Sequence, residues 1–447
     1  MKYHLVSLGC AKNMVDSELV LGVCEKSDWT FVSEPDEAEI LLLNTCGFIQ
    51  PAVEEAVDEI LALAELKETD QSKKLIVFGC LIQRYKEQLV DSLPEVDLFV
   101  GTEAITDIPQ LVNELLADNE FAKVHLADEF LMTAKEPRIQ ATPFFRAWMK
   151  ITEGCDNHCS YCMIPAIRGR LRSRSIDDLV EEAISLEKKG VKELSLIAQD
   201  LTAYGDDLDQ EVNVVSLLKE LLAKTDIAWI RLLYLYPSGV TDELLELIAE
   251  EDRIVKYLDI PFQHVNDRIL SVMNRPYGKT DLVEMVEKIR SYIPNMALRT
   301  TFLVGFPGET DAEYREVIEF IEKYKLDHVG VFPYSNEEGA ASEHYPNQID
   351  EDVKTERCTI LLEIQRKISE TIQQKYVGTY QEVLVEGVSQ ETDLLLEGRT
   401  QFQAPDVDGC VYINEGQVEA GEIVKVYISE AQQYDLIGGV IYNDIQQ

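Results

Sequence analysis

A short apolar strand followed by an amphipathic helix repeats through the middle of the chain. Six strand-like runs follow one another after Phe144, namely AWMKITEGC, ELSLIAQD, AWIRLLYLYP, YLDIPFQ, ALRTTFLVGF and HVGVFPYS. Helical stretches separate them, such as IDDLVEEAISLEKKG, which has acidic residues in its first turn and a glycine at its end. The repeat predicts an α/β fold in which residues 144–375 form a partial (βα)6 barrel.

The regions on either side of this barrel have patterns of their own. Residues 1–120 alternate the apolar runs YHLVSLG, EILLLNT and KLIVFG with helical sequence, which predicts a doubly wound, flavodoxin-like parallel sheet. Residues 121–143 contain EPRIQATP, where prolines discourage helix, and are predicted as a linker. Residues 376–447 hold short strands and turns such as VDG, NEG and EAG, so we expect a small all-β domain there.

Three cysteines follow the first barrel strand in the segment EGCDNHCSYCMIP. Cys155, Cys159 and Cys162 have the spacing Cys-x3-Cys-x2-Cys, and the carboxyl ends of barrel strands are where active sites lie. Such a loop can bind three corners of a [4Fe–4S] cube and leave one iron open for a substrate. Zinc is the alternative, with His158 as a further ligand in principle, but no second Cys-x2-Cys hook follows within the usual distance.

Each apolar run of the amino-terminal region ends directly in a cysteine. Cys10 follows SLG, Cys46 follows LLNT and Cys80 follows VFG. Because the carboxyl ends of parallel strands line one edge of the sheet, the three thiols can converge and form a second metal site. The alternative is that each is a small buried hydrophobic residue at a strand end, which is also the interpretation we favour for the remaining cysteines, Cys24, Cys358 and Cys410.

The charge and the apolar runs restrict location and partners. No run approaches the roughly 18 apolar residues of a membrane span and the start lacks the apolar core of a secretory signal, so we expect a cytoplasmic protein without membrane contact. Cytosolic thiols stay reduced, which argues against a disulfide framework. A net charge of −41 would repel a polyphosphate chain and attract a basic protein, although it could also serve solubility alone.

Several polar residues near the predicted barrel mouth are further candidates. Gln199 ends the second strand, Gln263 follows the fourth and Arg299 lies on the fifth, so all three are predicted near the face that binds a cofactor. Their sequence neighbours Asp200 and His264 have the same strand-end position. For a single histidine such as His264, a structural role is more common than a catalytic one. The turn GFPGET at residues 305–310 either supports a cofactor or ends a strand.

Four arginines alternate through the segment RGRLRSR: Arg168, Arg170, Arg172 and Arg174. In an extended segment these side chains would share one side. One interpretation has one or two of them gripping a carboxylate of a cofactor or substrate through paired hydrogen bonds. The other has them pairing with the abundant acidic residues of the surface.

With these residues in view, nearly the whole chain resembles the radical S-adenosylmethionine methylthiotransferase family. The cysteine loop, with Tyr161 before its last cysteine, resembles the radical S-adenosylmethionine signature, and IPAIRGRLRSR resembles the methylthiotransferase branch. SLGCAKNMVDSE, NTCGFI and GC resemble the family's auxiliary-cluster motifs, and residues 376–447 resemble its TRAM domain. The resemblance implies S-adenosylmethionine, two [4Fe–4S] clusters on the six cysteines, and an electron-donating reductant.

The resemblance also implies two classes of substrate, transfer RNA adenosines or an aspartate of ribosomal protein S-twelve. Residues 376–447 hold two basic residues against thirteen acidic ones. Phosphate contacts dominate affinity for nucleic acid, so this tail makes transfer RNA unfavourable and suits a basic protein. SLGCAKNMVDSE also resembles the protein-modifying branch, so the expected partner is S-twelve, free or in the small ribosomal subunit. A third hypothesis is an electron carrier or cluster scaffold that has no use for an open iron.

Overall fold

The structure is a computed structural model that describes residues 1–117, 121–209 and 211–441. The end of the predicted first domain at 118–120 and the last six residues of the predicted tail lie outside the described residues. The predicted domain boundaries themselves stay predictions.

The amino-terminal region is a parallel sheet with helices on both faces. Its strands are β1 (Lys2–Ser7), β2 (Thr30–Phe31), β3 (Ile40–Thr45), β4 (Lys74–Gly79), β5 (Leu98–Val100) and β6 (Val124–His125). Its helices are α1 (Ala11–Lys26), α2 (Gln50–Thr69), α3 (Cys80–Tyr85), α4 (Gln88–Ser92) and α5 (Ile108–Ala117). The strand order is β2-β1-β3-β4-β5-β6 and every pairing is parallel. The predicted doubly wound, flavodoxin-like sheet is therefore confirmed.

A second parallel sheet of six strands forms the partial barrel. The strands of this region are β7 (Arg146–Lys150), β8 (Thr152–Glu153), β9 (Arg172–Ser173), β10 (Glu193–Ile197), β11 (Trp229–Leu232), β12 (Ile254–Asp259), β13 (Ala297–Val304) and β14 (His328–Pro333). The sheet order is β14-β13-β12-β11-β10-β7, while β8 and β9 pair separately as a short antiparallel ribbon. All six predicted strands contribute to the sheet, which confirms the (βα)6 prediction.

Five of the eight helices described in the barrel region begin at a residue whose side chain caps the helix. The eight helices are α6 (Ile164–Arg168), α7 (Ile176–Lys188), α8 (Val214–Lys224), α9 (Asp242–Glu250), α10 (Asp267–Val272), α11 (Lys279–Tyr292), α12 (Asp311–Tyr324) and α13 (Glu351–Gln373). Ser175 caps α7, and Thr310 forms a capping box with Glu313 on α12. These side chains accept hydrogen bonds from backbone N–H groups that the helix leaves unpaired. No helix in the described part of the chain is both long and apolar enough to cross a membrane.

The tail is a closed β-barrel, as expected for the small all-β region. Its strands are β15 (Tyr380–Val388), β16 (Leu396–Thr400), β17 (Val411–Glu415), β18 (Ile423–Ala431) and β19 (Leu436–Val440). They close in the order β15-β16-β17-β19-β18, and β17 and β19 pair in parallel. Closure leaves this barrel without free strand edges.

The inner wall of the partial barrel is covered by the other two regions. Val15 of α1, Trp229 of β11 and Leu384 of β15 belong to one buried apolar core. A fully buried carboxylate, Glu193 of β10, pairs with Arg231 at 2.6 Å and with Arg399 of the tail at 2.6 Å. The three regions are thus joined by a common core and by buried charge.

We expect Glu193→Gln to destabilise the protein by about 3–5 kcal/mol, because two buried guanidinium groups lose their shared carboxylate. Burial alone raises the pKa of Glu193, but Arg399 and Arg231 outweigh it and hold that pKa at about 2. The stabilisation is therefore present above the pKa of an unfolded glutamate and is lost as the pH falls toward 2.

Urea unfolding at pH 7 measures the effect. The matched control is Glu243→Gln, which removes an exposed ion pair with Lys219 and should cost less than about 1 kcal/mol. Equal effects of the two substitutions would contradict the importance of the buried pair.

Candidate active site

The cysteine loop of the barrel lies between β8 and α6. Gly154, with φ +70°, turns the chain into the loop, and a Cβ at this position would lie 1.9 Å from the carbonyl oxygen of Arg170. The backbone N–H of Asn157 points to Cys155 Sγ and that of Ile164 to Cys162 Sγ, each at 3.4 Å. Burial raises the pKa of Cys162 to about 12. Burial thus favours the protonated thiol, and a metal that binds here would displace its proton.

The three amino-terminal cysteines lie together at one edge of the first sheet. Cys10 precedes α1, Cys46 follows β3 and Cys80 begins α3. The side-chain oxygen of Asn13 lies 3.9 Å from Cys10 Sγ and 3.7 Å from Cys80 Sγ, while a Cβ on Gly9 would be 3.0 Å from Cys46 Cβ. The predicted convergence is therefore present, and the role of these thiols as ligands stays a prediction.

The arrangement of the thiols differs from that of a single-ion site. Among the described residues, no three or more His, Cys, Asp or Glu side chains converge as ligands of one ion would. Zinc holds its thiolates about 2.3 Å from one centre, whereas the cysteines of a cube bind separate irons and need not converge on one point. All six cysteines are free thiols. Thiolates are the ligands of iron–sulfur clusters, and the assignment of these six cysteines to clusters stays a prediction.

A cavity of about 240 Å³ lies between the barrel cysteines and part of the amino-terminal domain. Cys155, Cys159 and Cys162 line one side of it, and Lys12 and Phe48 from the amino-terminal sheet line another. Its remaining walls come mainly from the carboxyl ends of β10, β11 and β12 and include Gln199, Tyr234, Tyr236, Gln263 and Arg275. A ligand in this cavity would touch both the barrel loop and the amino-terminal domain.

Two residues of the cavity wall have left-handed backbone conformations. Tyr234 has φ +63° and Gln263 has φ +68°. The backbone of Gln263 is held by β13, since its N–H donates to Thr301 O and its carbonyl accepts from Leu303 N, both at 2.8 Å. Strained residues of this kind persist where the surrounding structure fixes them, and they concentrate at functional sites.

The other strand-end candidates lie elsewhere. Arg299 is not among the described residues that line the cavity. Its guanidinium pairs instead with Asp408 of the tail at 2.8 Å. Its contact with a cofactor stays a prediction. Asp200 caps the turn at Leu201–Ala203 and accepts from Asn157 at 2.7 Å. His264 is fully buried and faces Glu309 of the GFPGET turn at 3.5 Å.

The four alternating arginines all pair with carboxylates of the protein. Arg170 is exposed and binds Asp156, Arg172 binds Glu103, and Arg174 is buried against Asp178 and Glu182. Arg168 is buried and ends α6, so the segment is not extended throughout. The pairing agrees with the second interpretation of this run, with the difference that two of the arginines are buried.

Arg168 belongs to a closed ring of ion pairs that joins α1 to the barrel. Its guanidinium binds Asp16 at 2.8 Å and Glu153 at 3.2 Å, and Lys150 binds the same two carboxylates at 2.6 Å each. We call these four buried residues the ion ring. Burial raises the pKa of Glu153, but Lys150 and Arg168 outweigh it and bring that pKa to about 2. Arg168 also donates to Cys80 Sγ at 3.2 Å.

Sequence reasoning missed the polar residues that follow Cys10. Lys12, Asn13 and Asp16 are buried on α1, and Lys12 lies with its ammonium 3.6 Å from the ring centroid of Tyr234. Burial lowers the pKa of Lys12, and the neighbouring Cys10 opposes that shift. The available signal was a run of polar residues at helical spacing directly after a metal-ligand candidate. Arg275, whose guanidinium donates to the hydroxyl of Tyr161, had no comparable signal.

A wider cleft of about 940 Å³ adjoins the cavity and shares Asn157 and Tyr236 with it. Five carboxylates line this cleft against two arginines: Glu129, Asp156, Asp200, Asp206 and Asp207, with Arg170 and Arg172. The approach to the cavity is therefore acidic on balance.

Three family models match successive parts of the chain. The radical SAM superfamily matches residues 149–321, the uncharacterized protein family UPF0004 matches 2–101 and the TRAM domain matches 377–441. A ribosomal protein uS12 methylthiotransferase RimO from Desulfotalea psychrophila is 67% identical over 99% of both chains. A protein of the same name from Geotalea uraniireducens is 46% identical over 98% of both chains.

Solved structures share the fold at low identity. A radical S-adenosylmethionine methyltransferase, TsrM from Kitasatospora setae, matches with a TM-score of 0.55 and 13% identity over 85% of this chain and 80% of that one. The cobalamin-dependent radical enzyme OxsB matches with a TM-score of 0.54 and 12% identity over 81% of this chain and 56% of that one.

We expect the amino-terminal thiols of iron-free protein to differ in reactivity. Cys10 is exposed, whereas burial raises the pKa of Cys80 to about 12, and the thiolate is the reactive form. Iodoacetamide should therefore modify Cys80 at least roughly tenfold more slowly than Cys10. Peptide mass spectrometry over time measures both rates, with the fully buried Cys24 as the unreactive reference. Equal rates would show that this edge of the sheet opens without iron.

Proposed function

Because the chain belongs to the RimO family of radical S-adenosylmethionine methylthiotransferases, we propose that it adds a methylthio group to the β-carbon of an aspartate in ribosomal protein uS12, which is S-twelve. The enzyme class follows from the family, and the radical SAM superfamily match at residues 149–321 supports an iron–sulfur cluster and S-adenosylmethionine as its cofactors. The single observation that carries the proposal is the cavity that brings the barrel cysteines and the amino-terminal domain to one space.

The six cysteines would hold two [4Fe–4S] clusters. Cys155, Cys159 and Cys162 would bind the cluster that holds S-adenosylmethionine, and Cys10, Cys46 and Cys80 would bind the auxiliary cluster. When bound, these groups supply radical chemistry, which can functionalise a C–H bond too weakly acidic for a general base, and the sulfur to be inserted. The thiols are free, and they lie in two places, the barrel loop and the carboxyl edge of the amino-terminal sheet, which supports this division.

The protein's own residues bind the reactants and exclude water. The amide side chains of Gln199 and Gln263 line the cavity and would donate and accept hydrogen bonds with S-adenosylmethionine. Tyr234, Tyr236 and Phe48 provide apolar walls, which keep the reaction space dry and strengthen its electrostatic interactions. The ion ring holds the two sides of this space together.

The charge distribution supports a basic protein as the substrate. Arg399, one of two basic residues in the tail, is buried against Glu193 and Glu386 and cannot contact a phosphate. Together with the acidic cleft, the tail therefore offers a ribosomal protein favourable contacts and repels transfer RNA. Free uS12 and the assembled small subunit would both present such a target. The reaction also needs an external reductant, and the protein would work in the cytoplasm, where ribosomes are found.

The direct test is mass spectrometry of uS12 after incubation with the enzyme. Anaerobically reconstituted protein, reductant and S-adenosylmethionine are combined with purified small subunits, and separately with free uS12. We expect a mass gain of one methylthio group on an aspartate, together with deoxyadenosine. Formation of deoxyadenosine without modified uS12 would contradict uS12 as the substrate and favour transfer RNA. Absence of deoxyadenosine would favour an electron carrier or cluster scaffold.

Replacing Cys10, Cys46 and Cys80 together by alanine should abolish the transfer and remove about half of the reconstituted iron, because one of two clusters loses its ligands. Iron and sulfide analysis with electron paramagnetic resonance provides the measurement. The matched control replaces Cys24, Cys358 and Cys410, which should leave the iron content unchanged. Full transfer by the first variant would refute the auxiliary site.

A further inference from the structure

Lys12 is a buried cation without a polar partner. It is 6% exposed, and no hydrogen bond or ion pair of the described residues involves its ammonium. Its close contact is the ring of Tyr234, with 3.6 Å from Nζ to the ring centroid. A largely buried ammonium gains from an anionic partner, so its side chain is suited to receive an anion that enters the cavity. Lys12 lines the cavity that the barrel cysteines share with the amino-terminal domain.

Of the other cations around this space, three pair with carboxylates, and Arg275 pairs with a tyrosine hydroxyl but keeps its buried Nε without a hydrogen-bond partner in the described part of the chain. Lys150 and Arg168 share the two carboxylates of the ion ring. Arg299 pairs with Asp408, and Arg275 donates to Tyr161 while lying 4.6 Å from the ring centroid of Tyr236. A carboxylate that enters the cavity therefore meets in Lys12 an ammonium with no hydrogen bond or ion pair among the described residues, while the buried Asp259 acts on that ammonium at longer range.

The position of Lys12 indicates which carboxylate it receives. It follows Cys10 by two residues on α1 and lies on the wall formed by the amino-terminal domain. In the proposed reaction sulfur joins the β-carbon of an aspartate, and the side-chain carboxylate is bonded directly to that carbon. A cation beside Cys10 that holds this carboxylate would turn the β-carbon toward the amino-terminal cysteines. S-adenosylmethionine, in contrast, belongs to the barrel loop on the other wall.

We propose that Lys12 binds the side-chain carboxylate of the target aspartate and thereby selects and positions it. This inference rests on the proposed function, since it names the group that recognises the substrate of that reaction. An uncharged target, such as asparagine or an adenine base, would leave the ammonium without its partner. The selection of aspartate is then made inside the cavity, separately from any docking of uS12 on the acidic outer surface.

A double-mutant cycle tests this contact through binding. Reconstituted full-length enzyme, wild type or Lys12→Met, is titrated with labelled uS12 that carries either the target aspartate or asparagine in its place. We expect Lys12→Met to weaken binding of aspartate uS12 by at least about 30-fold and binding of asparagine uS12 by much less, because only the former loses a buried charge pair. Lys12→Arg keeps the charge and should keep the preference for aspartate.

Two controls make the result specific. Lys26→Met removes an exposed lysine from the same helix and should change neither affinity. Iron content and thermal unfolding show whether each variant is folded and contains its clusters. If Lys12→Met fails either check, Lys12→Arg tests the role of Lys12: a retained preference for aspartate uS12 supports it, and a lost preference overturns it.

The outcomes separate this inference from the proposed function. Equal weakening of both uS12 forms, or no weakening, would overturn the role of Lys12 even if the wild type modifies uS12. If Lys12→Met weakened the binding of S-adenosylmethionine and did not discriminate between aspartate uS12 and asparagine uS12, Lys12 would be assigned to the cofactor. That result would also overturn the proposed role of Lys12. A wild type that neither binds nor modifies uS12 would overturn the proposed function and this inference together.

Discussion

The ion ring is the interaction on which the arrangement of the site depends. Two cations and two carboxylates alternate in it, and each cation contacts both carboxylates. Removing any one member would leave the others buried with unbalanced charge, which is far more costly than losing an exposed pair. Because Asp16 belongs to α1 and the other three to the barrel, the ring fixes the distance between the two cysteine groups. Arg168 also helps to fix the position of Cys80, because its guanidinium donates a hydrogen bond to Cys80 Sγ.

The sequence predicts the parts of this structure that depend on local pattern. The six barrel strands and the three cysteine-terminated strands follow from apolar periodicity, and the placement of each cysteine follows from the rule that parallel strands share a carboxyl edge. Partners that come from distant positions leave no such pattern. Arg168 and Arg170 look alike in RGRLRSR, yet the side chain of one is 2% exposed and that of the other 86%. Likewise, the strand position of Arg299 does not reveal that its guanidinium faces the tail.

The tail serves the molecule in two different ways. Arg399 and Asp408 reach into the barrel, where they pair with Glu193 and Arg299. Because one cation and one carboxylate are withdrawn together, the rest of this small barrel keeps its excess of acidic groups, which are left to act on solvent and partners. A single domain thus completes the interior of its neighbour and sets the charge that an approaching molecule meets.

The core shared by Val15, Trp229 and Leu384 has a consequence for biogenesis. A ribosome releases the chain from its amino terminus, so the inner wall of the partial barrel is made long before the tail that covers it. Until the last strands emerge, apolar and charged groups of that wall stay open to water or to other nascent chains. A truncated product that ends before β15 would keep its cysteine loop but lack its cover, which makes it a natural target for chaperones and quality-control proteases.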